Sequence, residues 1–175
     1  MQKKILKTLT LTSLLLSGVA HSMNLNFKGN LIIPNCTVNA NKAIETEFKD
    51  VEIQTLTTMN VGYHWQSLTI PVDCPYNLGT PKIKITGDQT TKPNGIKTSK
   101  YAAEKLAIYL KQGTAGALGN DIALNSYNAL TGSSITGVGT KKNISIVAGI
   151  GREGGMDLLK PGPFTASANM EVRYE

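Results

Sequence analysis

Few residues in this chain could do chemistry. Cys36 and Cys74 are its only cysteines, and such a pair can form a disulfide, hold a metal or supply a nucleophilic thiolate. A metal needs further ligands, and a catalytic thiol needs a partner base. The only histidines are His21 and His64. His64 stands beside Trp65 in a polar stretch and reads as a surface residue, so a serine triad has no base to use. Asp50, Glu52 and Asp73 fall at strand ends or on a wet strand face, with no spacing that pairs two carboxylates for acid–base work. The run Gly113 to Asn120 (GTAGALGN) lacks the Gly-Lys-Ser/Thr ending and following helix of a phosphate-cradling loop, and reads as a flexible loop. The expectation is a non-enzyme with no metal, no cofactor and no small-molecule substrate.

The first 22 of the 175 residues set the compartment. Lys3, Lys4 and Lys7 form a basic start, Leu9, Leu11, Leu14, Leu15 and Leu16 an apolar centre, and Ala20-His21-Ser22 a small-residue cleavage site. That order is a secretory signal peptide, too short for a membrane anchor. Its removal takes three lysines and one histidine, so 15 basic residues face 12 acidic ones and the balance falls from +6 to +3. No basic cluster interleaved with aromatics remains, which argues against nucleic acid as a partner. In an exported chain an even cysteine count argues for a Cys36–Cys74 disulfide. Closing a loop of about 39 residues should stabilise by about 4 kcal/mol on the chain-entropy estimate.

The remainder reads as one all-β domain. Cys36-Thr37-Val38 begins a strand after Pro34-Asn35. Ile44 to Leu56 is β-leaning, with Phe48, Val51, Ile53 and Leu56 toward the core and a bend near Lys49-Asp50. Trp65 to Cys74 turns Leu68, Ile70, Val72 and Cys74 inward, and Pro71 points to an edge or bulge there. Lys82 to Thr86, Leu106 to Leu110 and Asn143 to Ile150 are short apolar strands. Pro163 to Glu175 alternates Phe164, Ala166, Ala168, Met170, Val172 and Tyr174 on one face. Tyr101 to Leu106 allows one helical turn at most. Short strands separated by Gly/Pro/Asn turns predict an immunoglobulin-like β-sandwich.

The segment Met23 to Ile33 (MNLNFKGNLII) is the best-formed strand pattern of all. Met23, Leu25, Phe27, Gly29 and Leu31 share one face, while Asn24, Asn26, Lys28 and Asn30 share the other. A seven-stranded sandwich is one strand short without it, since about six strands follow Cys36. The segment completes its own sheet or adds to a neighbour's by edge pairing. Both choices bury the same face.

Taken together, Asn24 to Pro34 (NLNFKGNLIIP), Cys36-Thr37-Val38, Asp50 to Leu56 (DVEIQTL), Cys74 to Gly79 (CPYNLG), a penultimate Tyr174 and Gly162 at the fourteenth position from the end resemble one family. It is that of minor pilins of the chaperone–usher class, in particular the tip-fibrillum subunit of P pili. The resemblance spans the mature chain and is weakest from Gly87 to Gly139. It implies a signal peptide at 1–22, a donor-strand extension at 23–33 and a pilin domain at 34–175 whose sandwich lacks its last strand. Met23, Leu25, Phe27, Gly29 and Leu31 would be the donor side chains. Gly162, Phe164, Ala166, Ala168, Met170, Val172 and Tyr174 would form the groove edge and chaperone contact, with the Glu175 carboxylate anchored by basic chaperone residues. The implied partners are a periplasmic chaperone, an outer-membrane usher and neighbouring pilin subunits, in a fimbrium on the bacterial surface. An acidic final residue and the His64-Trp65 pair depart from the pattern. A rod or adaptor pilin, or a self-contained secreted carbohydrate-binding sandwich, are the alternatives.

Overall fold

Runs of β-branched residues at two-residue spacing make this chain a set of antiparallel ladders. The computed structural model describes residues 23–175, so the expected signal peptide at 1–22 lies outside the described residues. The chain divides after Leu31 into two units. In the second, the strands are β1 (Thr37–Val38), β2 (Gly62–Asp73), β3 (Pro81–Gly87), β4 (Gly95–Lys97), β5 (Leu106–Thr114), β6 (Ala117–Asp121), β7 (Tyr127–Ala129), β8 (Ile135–Val138), β9 (Lys141–Arg152) and β10 (Ala168–Tyr174). One helical turn, α1 (Tyr101–Glu104), precedes β5.

The larger sheet runs β1-β2-β9-β5-β4, with β6 on β5 and β8 on β9; the smaller runs β10-β3-β7. Strand β9 is central because one edge pairs with the whole of β2, while the other is shared between β8 and β5. Its inward residues Ile144, Ile146, Ala148 and Ile150 are buried, and they meet Ile70 and Val72 of β2, Ile83 and Ile85 of β3, and Val172 of β10 in one core cluster. The Cys36–Cys74 disulfide forms, with Cα atoms 4.2 Å apart. Both cysteines are buried in that core.

The outer face of the large sheet carries a second, aromatic cluster of Tyr101, Ala107 and Tyr109, with Trp65 against it. Glu153 gathers its polar ends, accepting from Tyr101 Oη at 2.7 Å, Tyr109 Oη at 3.3 Å and Thr91 Oγ1 at 2.6 Å. Trp65 lies where side chains on Gly62 and Gly149 would stand. It reaches that position because β2 bulges between Tyr63 and Gln66, with His64 at φ 51°. His64 is exposed, with Nε2 2.6 Å from Thr55 Oγ1. The bulge sits at His64-Trp65 and not at Pro71, which pairs in register with Asn143. Strand β1 covers only Val72 and Asp73, so Pro71 does occupy an edge of β2.

Three expectations need correction. Gly113 to Asn120 is not a loop but the turn of the β5–β6 hairpin, with Gly113 at φ 100° beside a register shift. All of β6 is exposed, so no dry face existed to print an alternating pattern. Ile44 to Leu56 forms no strand; it holds one 3₁₀ turn at Ile53–Thr55, although Leu56 is buried and Phe48, Val51 and Ile53 pack on the core. Apolar spacing reports a dry side, not a paired edge. The final strand is paired only from Ala168, because its partner β3 ends at Gly87.

Candidate functional site

An open groove runs between the unpaired segment 44–56 and residues 159–170, with a volume of about 1270 Å³. Its floor is the core itself, where Ile70, Ile108, Leu110, Ile146 and Ala148 line the groove while staying buried. Phe48 and Phe164 face each other across it with ring centroids 6.1 Å apart.

The register of β10 shows what this groove offers besides apolar surface. Glu175 exchanges both backbone bonds with Thr80, at 2.6 and 3.0 Å. In an antiparallel ladder alternate residues bond to the same neighbour, so Arg173, Glu171 and Asn169 also direct their main-chain groups toward β3. Val172, Met170 and Ala168 direct theirs the other way. On that side the Val172 carbonyl accepts from Cys36 N at 2.7 Å. Among the described residues no backbone bond closes this side at Met170 or Ala168. The groove therefore combines a dry floor with a live strand edge, which is what an added β-strand needs.

Upstream of Ala168 the chain has left β3 and bends at Pro161-Gly162, yet it still lines the groove as a wall. The turn around α1 holds it. Ser99 N donates to the Thr165 carbonyl at 2.8 Å, and Thr165 N donates to Ser99 Oγ at 3.1 Å. Lys100 Nζ donates to the Lys160 carbonyl at 2.5 Å, and Lys160 N donates to Glu104 Oε2 at 3.1 Å. Lys100 and Glu104 are themselves an ion pair at 3.2 Å, largely shielded from solvent. The Lys160 N–H chiefly holds the Glu104 carboxyl below the usual range against its burial, and Lys100 adds to that.

The residues singled out in the sequence separate into four groups. Gly162, Phe164, Ala166, Ala168 and Met170 line the groove. Val172 and Tyr174 do not; they are buried in the core beyond its closed end. Glu175 carries its side-chain carboxylate against Lys82 and Arg173, so the extra acid that departs from the pilin pattern is neutralised within the chain. Met23, Leu25, Phe27 and Leu31 are exposed at 85%, 78%, 90% and 105%, and a side chain on Gly29 would meet no heavy atom within 4 Å. Residues 23–33 form no strand. The pattern is there without a paired edge. Sequence reasoning missed the wall at Lys100 and Glu104, for which a charged pair four apart on a single helical turn was the available signal.

The sequence matches the family described as Fimbrial protein over residues 25–175. Fimbrial protein PrsE of Escherichia coli is 36% identical over 170 residues, covering 94% of this chain and 92% of the relative. Fimbrial adapter PapF of Escherichia coli is 27% identical over 167 residues, covering 93% and 95%. The crystal structure of the P pilus rod subunit PapA superposes with a TM-score of 0.58 at 15% identity, over 87% of this chain and 100% of that one. That last likeness is one of fold.

Proposed function

The chain belongs to the fimbrial protein family, and from that membership we propose how its groove and its leading segment work. It is a structural subunit of a chaperone–usher pilus that associates with other pilin subunits in a surface fimbrium. We infer a structural role with no catalysis. The observation that carries the reading is the open edge of β10 above an apolar groove, in a chain whose residues 23–31 alternate apolar and polar without a strand to pair with.

In this reading the leading segment of one subunit is the missing strand of the next. Met23, Leu25, Phe27, Gly29 and Leu31 enter the groove, and the polar residues between them stay wet. Burying four large side chains contributes on the order of 6–12 kcal/mol before ordering costs, and main-chain bonds to Ala168 and Met170 add to it. The lengths agree, since residues 23–31 and 162–170 each span nine positions. Antiparallel pairing sets Leu31 against Gly162, Gly29 against Phe164, Phe27 against Ala166 and Leu25 against Ala168. Large meets small at each of these, and only the end pair, Met23 on the flexible Met170, sets large against large. Parallel pairing would set Leu25 on Phe164 and Gly29 on Ala168, crowding one position and leaving a void at the other.

Before that exchange a periplasmic chaperone lends a strand to the same edge, and an outer-membrane usher hands the subunit on. The signal peptide delivers the chain to the periplasm. Within the pilus we place it in the tip fibrillum, on the strength of the residue pattern from Asn24 to Gly79. Deleting Met23–Ile33 and expressing the remainder with a matching chaperone tests the scheme. A soluble one-to-one complex that cannot polymerise is expected. A stable monomer that needs no chaperone would overturn it.

A further inference from the structure

The upstream half of the groove wall has no strand beside it to keep it straight. Residues 160–167 have left β3, yet Pro163 to Ser167 line the groove as fully as Ala168 and Met170 do. An unpaired wall of this kind would ordinarily fold onto the apolar floor. The contacts that prevent this come from one turn, Ser99 to Glu104. Ser99 takes the place of β3, exchanging bonds with Thr165 through its N–H and its hydroxyl. The Lys100–Glu104 pair grips both backbone groups of Lys160, one with its ammonium and the other with its carboxylate. Such a shielded ion pair adds little to stability on its own, because desolvation offsets its attraction. Its geometry here is directed at the main chain of the wall.

We propose that the Ser99–Glu104 turn is a positioning element for strand exchange, a strap that holds residues 160–165 in place so that an incoming strand finds the far half of its edge already formed. The proposal rests on the reading of the groove as a strand acceptor. Lys100 and Glu104 also line the groove themselves, at the end that the far half of the incoming strand would reach. The strap acts through Lys160 and Thr165, by keeping the wall from relaxing onto Ile108 and Ile150. Pre-organising a binding edge shows up as a faster and tighter capture of the strand that uses that edge. A strand too short to reach it gains nothing.

The experiment uses the chaperone-bound chain and two synthetic peptides, one of residues 23–33 and one of residues 23–27, and measures the rate of chaperone displacement. Lys100→Met and Glu104→Gln are each expected to slow exchange with the long peptide about tenfold, the factor for losing one or two net hydrogen bonds. Exchange with the short peptide, which in the antiparallel register ends at Ala166 and stops short of Thr165, should keep its wild-type rate. Lys100→Arg should restore the long-peptide rate. Ser99→Ala, a milder change that leaves the Ser99 N–H in place, should act in the same direction and covers the case of a variant that fails to fold. Equal slowing with both peptides would mean general destabilisation and would overturn the proposal, as would no slowing with either. Should the wild-type complex exchange with neither peptide, the acceptor reading itself fails, and this proposal falls with it.

Discussion

The main-chain N–H of Cys36 donates to the carbonyl of Val172 at 2.7 Å, and this bond marks where the open edge of β10 ends. On the Cys36 side the edge is capped; from Met170 upstream it is free. The cap stays in place because Cys36 is also bonded through sulfur to Cys74 at the end of β2. The disulfide therefore ties the chain that leaves the domain at Pro34 to the closed end of the groove. It fixes the point from which the leading segment departs.

Removing that tie has a calculable cost. A link across 38 positions removes loop entropy worth about 4 kcal/mol from the unfolded chain. Replacing both cysteines by serine is expected to lower stability by about that amount. Urea unfolding of the chain complemented with a 23–33 peptide checks it, and added reductant should bring the wild type to the variant's midpoint.

Gly29 and Phe164 form the second prediction. In the antiparallel register a side chain at position 29 lands on the Phe164 ring, which Phe48 already contacts across the groove at 6.1 Å. Overpacking such a site costs about 1–3 kcal/mol. Gly29→Leu should therefore slow donation to a wild-type groove by about tenfold or more, while the same chain still accepts a wild-type strand. Phe164→Ala in the acceptor should restore donation by the Gly29→Leu segment. Polymerisation of mixed donor and acceptor variants reads out both effects.

Ala166 and Ala168 supply a direct test of occupancy. Both are exposed in the unfilled groove, and both would face a donor side chain once it is filled. Single cysteines placed there should react readily with a thiol reagent in the groove-open chain. Protection by about tenfold or more is expected after a 23–33 peptide is bound, with a matched cysteine at exposed Val138 unaffected.

The all-β character, the disulfide and most of the core were legible because Ile70, Val72, Ile83 and Ile146 alternate with residues that face outward. The hairpin at Gly113 was not, since β6 buries nothing. The site was half legible. Phe164 to Met170 announced themselves by alternation, but the same alternation continues into Val172 and Tyr174, and sequence cannot say where a groove ends and a core begins. That depends on Cys36 reaching Val172 from 136 positions away. The opposite wall at Phe48, Val51 and Ile53 read as core for the same reason. A residue lining an apolar groove and one lining an apolar interior carry the same side chains.

Acid should weaken the groove before it weakens the core. Glu104 is held below the ordinary carboxylate range by the Lys160 N–H, Glu175 by Lys82, and Glu171 by the Tyr127 hydroxyl. A carboxyl with a lowered folded value binds fewer protons folded than unfolded. Its contribution is complete above the ordinary value of about 4.3, and it is lost as pH falls through the folded value. Stability of the peptide-complemented chain should be flat from neutrality to about pH 5 and decline below that. Glu104→Gln should be less stable at neutral pH and lose less on acidification, so the two curves converge in acid. Urea midpoints across pH 3 to 7 for both chains check this, and parallel curves would show that Glu104 has no part in the acid response. Because Glu104 anchors Lys160, acid should also slow capture of the full 23–33 peptide more than capture of the 23–27 peptide.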